Sequence, residues 1–255
     1  LTFLESEMEH AAWTPKSAHL ALVFVDGREE VLHAFETSED VDRTMLPVFA
    51  PSADVAGPPV FQLGDVVAGS VLVTEARANA NLIRRARERG AVAILSAALN
   101  AFTQDPTGRE RHFDAILFTK VPPETELAVA QISPRSLSRI STAARAGAVS
   151  LRYRAKVARG PTKIRTLCAT VRGKTLPDEA VVIASHVQEP GAGDNASGSA
   201  GLIEGARALA KLIDAKELEP PSRSLVFVWG DEFRQSRVWL EQSGLRATAG
   251  ISADM

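Results

Sequence analysis

The stretch Ala180-Val181-Val182-Ile183-Ala184-Ser185-His186, continued by Val187-Gln188-Glu189-Pro190-Gly191-Ala192-Gly193-Asp194-Asn195-Ala196-Ser197-Gly198, decides the reading of this chain. An almost unbroken apolar run of strand length reads as a strand covered on both faces of a sheet. It ends in an imidazole. The loop that follows ends in an acid, Asp194, just before a helical run at 196–215. Two later runs end the same way: Leu225-Val226-Phe227-Val228-Trp229 leads into Gly230-Asp231-Glu232, and Ala249-Gly250-Ile251-Ser252-Ala253 leads into Asp254. In open α/β sheets ligands gather at the carboxyl ends of the strands, so these polar residues are the ones to weigh.

Each has a bland reading. His186 alone reads as a structural histidine, Asp194 as a helix N-cap, Asp231-Glu232 as a solvated turn and Asp254 as a frayed end. Their joint position at one edge of one sheet points elsewhere. One imidazole with several carboxylates is a mixed nitrogen and oxygen set that suits zinc, and a carboxylate can bridge two metals roughly 3.5–4 Å apart.

Working outward, the chain reads as α/β throughout. Residues 66–73 read as a strand, 78–89 as a helix closed by Gly90, and 91–95 as a buried strand, a βαβ-like unit. A polar loop through Asp105-Pro106-Thr107-Gly108 follows, then strand-like runs at 115–118 and 128–132. Ser133-Pro134 opens a helix that runs to about residue 146, since serine caps and proline fits the first turn. Residues 149–154 alternate as a strand with one wet face, and a boundary falls near Arg159-Gly160-Pro161. Residues 167–171 form another strand, and 235–243 a helix stopped by Gly244.

Composition removes several function classes. The 255 residues are 45% hydrophobic and 24% charged, the balance of a folded globular chain. Lys+Arg 29 against Asp+Glu 31 leaves a net charge of −2, which gives no global field for nucleic acid. The arginines at 77, 84, 85, 87 and 89 form a basic helix face without aromatic platforms, and so read as a solvated face. No segment reaches the ~18 consecutive apolar residues of a membrane span. The one cysteine, Cys168, excludes an internal disulfide and a cysteine-built metal site. Residues 191–198 lack the Gly-Lys-Ser/Thr of a phosphate loop, and neither Ser185 nor Ser197 sits in a Gly-x-Ser-x-Gly elbow. The remaining histidines, His10, His19, His33 and His112, read as surface residues.

Over residues 160–255, the run to His186 followed by Gly193-Asp194-Asn195-Ala196-Ser197-Gly198, Asp231-Glu232 and Asp254-Met255 resembles the M28 family of zinc aminopeptidases. Residues 45–158 resemble, in their pattern of strands and helices, the protease-associated (PA) domain that accompanies such peptidases. The resemblance implies a PA-type α/β domain plus a partial zinc-exopeptidase α/β/α sheet domain, with residues 1–44 belonging to a larger domain. It implies a zinc-dependent aminopeptidase acting on peptides in a secreted or periplasmic setting, with two zinc ions per complete site and the PA domain as a lid or access module.

Carried over by position, His186 and Asp254 hold one zinc and Asp194 bridges both. Of the acidic pair, Asp231 is the general base and Glu232 the second zinc's ligand, while a shift of one residue makes Glu232 the base. Two departures accompany the match. Gln188 stands where the family has an Asp that orients the imidazole. The family's last ligand, a His, lies downstream of Asp254, so the chain by itself is expected to be truncated and inactive, with an edge to be covered by the missing C-terminal part or another chain. The rival reading is a non-catalytic peptidase-like module for binding or assembly that has lost the second metal site.

Overall fold

The computed structural model describes residues 1–8, 10–37, 39–100, 112–189 and 191–254. Its strands are β1 (Thr2–Glu7), β2 (Ala12–Phe24), β3 (Glu29–Phe35), β4 (Ala53–Gly57), β5 (Pro59–Val60), β6 (Val71–Thr74), β7 (Ala93–Ser96), β8 (Ala128–Gln131), β9 (Val149–Gly160), β10 (Lys163–Val171), β11 (Leu176–His186), β12 (Arg223–Gly230) and β13 (Arg246–Ser252). The helices are α1 (Ala80–Glu88), α2 (Pro134–Ala146), α3 (Ala196–Asp214) and α4 (Gln235–Gln242). No described helix is long and apolar enough to cross a membrane.

The chain divides into two compact units, His10–Gly160 and Leu1–Glu9 with Pro161–Met255. Residues 1–44, expected as one segment, are shared between them: β1 pairs with β10 in the second unit, and β2 and β3 pair in the first.

In the first unit an antiparallel sheet, β3-β2-β9-β4, and a parallel sheet, β5-β6-β7-β8, share a core. The period of two is visible in the parallel strands. Val71, Val73, Ala93, Leu95, Ala128 and Ala130 face Leu20, Leu22, Leu151 and Tyr153, whereas Leu72, Ile94 and Val129 turn to the other side, with Ile83 and Ala86 of α1. Ser133 caps α2 as its sequence predicts, its Oγ accepting the Ser136 N–H at 3.2 Å. Asn79 does the same for α1, accepting the Leu82 N–H at 2.9 Å. Residues 115–118, expected as a strand, are in no strand among the described residues, the nearest bridge being Val48 with Lys120, and the loop at 105–108 lies outside the described residues.

His33 is a correction. It is buried, not on the surface. Its Nε2 accepts the Ser133 N–H (3.2 Å) and the Ser136 hydroxyl (2.8 Å), which leaves Nδ1 to donate to Asp42 Oδ2 at 3.1 Å. The imidazole thus caps α2 and ties it to β3 and to the turn at Val41–Met45. His33→Ala strands these buried partners and is expected to cost about 2 kcal/mol, read as a lower urea midpoint at constant slope.

In the second unit the sheet order is β1-β10-β12-β11-β13, with β11 parallel to both its neighbours. Helix α3 lies on one face, where Leu202, Ala206 and Leu209, spaced at one helical stripe, pack on Leu167, Ile183, Phe227 and Trp229. The other face carries Val182, Ala184, Val226 and Val228 against Trp239 of α4. Among the described residues β13 is paired on one side only, and its seven residues are exposed.

Candidate metal centre

Register places the three strand ends at one rim. His186 is level with Gly230 of β12, so Asp231 and Glu232 follow immediately beside it. On the other flank Ala184 is level with Ser252, and the Ala253 N–H continues the ladder to the Ala184 carbonyl at 2.8 Å, which brings Asp254 alongside His186. The parallel connection through α3 delivers Asp194 to the same end, because a helix that returns to start a parallel strand begins at the carboxyl edge of the previous one.

The donor atoms converge. His186 Nε2 lies 3.0 Å from Asp254 Oδ1 and 3.2 Å from Asp194 Oδ1, and one ligand atom from each of the three residues lies within 4.8 Å of the others. The imidazole is buried while both carboxylates reach solvent. Asp194 is not the helix N-cap: Asn195 holds that place and makes no capping bond through its side chain. The Asp194–Asn195 peptide is cis. A β-carbon on Gly191 would sit 1.9 Å from the Asp194 carbonyl oxygen, so the loop that presents Asp194 closes only with glycine there.

Asp231 and Glu232 stand outside that group of three. Asp231 Oδ1 accepts the Phe233 N–H at 3.2 Å, and its carbonyl receives the N–H groups of Arg234 and Gln235 at the start of α4. Glu232 lines the same cavity as His186 and Asp254, a space of about 740 Å³ also lined by Trp239, Leu240 and Ile251. Gln188 turns to Glu232: its Nε2 donates to Glu232 Oε2 (3.2 Å), and its Oε1 accepts the Glu232 N–H (3.1 Å). It does not orient the imidazole, whose buried Nδ1 has no hydrogen-bond partner among the described residues.

Burial opposes charge on His186, but the hydrogen bond to Asp254 and the charges of Asp254, Glu232 and Asp194 outweigh it, and the pKa is raised above the ordinary imidazole value. The sign follows. A raised folded-state pKa contributes stability to the metal-free protein that is complete below the unfolded value and is lost as pH rises through the folded value. Metal binding runs the other way, since a cation takes the nitrogen's lone pair: zinc affinity is expected to fall as the pH is lowered through that raised pKa. Zinc titrations across neutral and mildly acidic pH check this.

Two carboxylates facing one ring nitrogen are poorly matched by a single N–H proton and well matched by a cation. A histidine nitrogen with two carboxylate oxygens is a donor set that zinc accepts, so the residues present fit that ion.

The profile of peptidase family M28 matches residues 166–232. The M28 match therefore takes in His186, Asp194, Asp231 and Glu232 and ends before Asp254. Among solved structures, a Peptidase M28 precursor from Shewanella amazonensis SB2B is 17% identical, with a TM-score of 0.54 over 94% of this chain and 57% of its own. A putative peptidase from Clostridium acetobutylicum is 13% identical, with a TM-score of 0.59 over 98% and 47%. BSAP, a zinc aminopeptidase from Bacillus subtilis, is 13% identical, with a TM-score of 0.50 over 89% and 50%. At these identities the likeness shows a shared α/β fold, and the chain spans about half the length of those proteins. Comparison with curated proteins yields no match.

The sequence does not reveal what holds the rim together. Ser185 and Asn195, each next to a candidate ligand, and Ser199 on the first turn of α3 are buried polar residues that bond to one another. Adjacency to a ligand is the sequence signal for Ser185 and Asn195, and Ser199 carries none.

Proposed function

We propose that the protein is a metal-dependent aminopeptidase that hydrolyses N-terminal peptide bonds, with two zinc ions in the complete site. The observation that carries the reading is the convergence of His186, Asp194 and Asp254, remote in sequence, on one point at the carboxyl rim of the sheet. The M28 match over the segment that supplies two of the three supports it.

His186, Asp194 and Asp254 would hold one ion, and Asp194 would also help to hold a second, for which Glu232 would be a further ligand. Bound zinc supplies a water of lowered pKa and a polarised carbonyl. Asp231 takes a proton on its carboxylate and returns it to the leaving amine.

The test uses the intact protein: metal analysis, with hydrolysis of amino-acid anilides and of their N-acetylated forms. About two zinc ions per chain, as a two-metal hydrolase requires, and cleavage blocked by N-acetylation are expected. No bound metal at neutral pH and no cleavage would favour a non-catalytic binding module.

A further inference from the structure

Three separate backbone segments deliver the candidate ligands, and one side chain touches the two that are distant from its own. Asn195 directly follows Asp194. Its Nδ2 donates to Ser185 Oγ, one residue before His186, and to the carbonyl of Ala253, one residue before Asp254, each at 3.1 Å. The residue is 1% exposed.

The direction of the bonds is fixed. Ser199 Oγ donates to the His186 carbonyl at 2.9 Å, and a carbonyl only accepts. Ser185 Oγ must then donate to Ser199 Oγ across 3.0 Å, and its lone pair receives the Asn195 amide. One relay thus runs from Asn195 through both serines to the backbone of His186, while the second amide proton holds the backbone before Asp254. Among the described residues the other end of the carboxamide, the buried Asn195 Oδ1, has no hydrogen-bond partner. The space is closed, since a β-carbon on Gly198 would stand 2.3 Å from both the Ala253 carbonyl oxygen and Asn195 Oδ1.

We propose that Asn195 is the positioning residue of the metal centre, its two amide protons clamping the strand end that carries Asp254 to the one that carries His186. The inference rests on the metal-centre reading. It concerns donors and not shape, so Asn195→Asp is the decisive variant: the isosteric carboxylate offers the Ala253 carbonyl no proton and adds charge beside two acids. Uncompensated buried polar contacts of this kind are costly, and groups behind a ligand typically tune metal affinity by roughly 10–100-fold.

The experiment measures the zinc affinity of the intact protein by competition with a chromophoric chelator, for wild type, Asn195→Asp and Ser185→Ala. The thermal midpoint of each metal-free protein and a metal-free crystal structure of the first variant accompany it. Affinity is expected to fall roughly 10–100-fold in Asn195→Asp and less in Ser185→Ala, which keeps the Ala253 bond, with Asp254 displaced from His186 in the metal-free crystal. A purely structural residue would lower the thermal midpoint and leave the zinc affinity of the folded protein at the wild-type value, and that result overturns the proposal. If Asn195→Asp does not fold, Ser185→Ala decides: weaker zinc supports the clamp, and unchanged zinc overturns it. A wild type that binds no zinc defeats the metal reading instead. The clamp is then judged on the metal-free variant crystal alone, where Asp254 still at 3.0 Å from His186 overturns it.

Discussion

Asp194→Ala protein is expected to carry no zinc where wild type carries it, while its fold and thermal midpoint stay close to wild type. The two halves of this result follow from different facts. Asp194 is more than half exposed, and its carboxylate makes no capping bond for α3, so removing it deletes no packing and strands no buried donor. The buried His186 ring nitrogen that faces it at 3.2 Å keeps Asp254 Oδ1 as a partner at 3.0 Å. The same carboxylate is one of three groups that face a common point, and in the proposed centre it serves both ions. Its loss should therefore exceed the roughly 10–100-fold that a group behind a ligand costs, and should remove both metals together. Metal analysis of the purified variant, with circular dichroism as the control for folding, gives the answer. Unchanged zinc content would show that the ligand assignment is wrong.

The second large effect separates the adjacent acids. In the proposed mechanism Asp231→Asn keeps its zinc and loses turnover by roughly 10²–10⁴-fold, the usual contribution of a general base, whereas Glu232→Gln lowers zinc content. The local structure makes the comparison clean. Asp231 is anchored at the start of α4 through its carbonyl, and asparagine in its place keeps an oxygen for the Phe233 N–H, so the turn is retained. Glu232 is held by Gln188 on two sides and lines the cavity shared with His186 and Asp254. Turnover of an amino-acid anilide and zinc content are read on the same samples. The reverse pattern, with zinc lost in Asp231→Asn and turnover alone lost in Glu232→Gln, would exchange the two roles.

The sequence is informative where one physical rule dominates. Strand β11 reads directly because a strand covered on both faces must be apolar along its length, and its end marks the rim where His186 stands. Helices α1 and α2 announce themselves through a capping side chain at the N-terminus and, for α1, through Gly90 in the left-handed region after its last turn. Where two rules compete, the reading weakens. Strand β1 is acidic and half exposed, and only its pairing with β10 shows that Thr2 to Glu7 is a strand at all. Strand β3 carries Glu29, Glu30 and His33, and the buried imidazole is explicable only once α2, more than 90 positions later in the chain, supplies its partners. The apolar residues 115–118 resemble a strand but are in no strand pairing among the described residues. The site shows the same division: residue types and strand ends point to His186, Asp194 and Asp254, whereas the bonds of Asn195, Ser185 and Ser199 depend on backbone atoms that no sequence pattern reports.

The most direct measurement is a crystal of the intact protein grown with zinc and recorded on both sides of the zinc absorption edge. An anomalous peak within about 2.0–2.2 Å of His186 Nε2 and of an oxygen from each of Asp194 and Asp254, the range of zinc bonds to these donors, is the predicted result. A protein that stays metal-free at neutral pH, or a zinc peak bound elsewhere with His186 still bonded to Asp194 and Asp254, would contradict it.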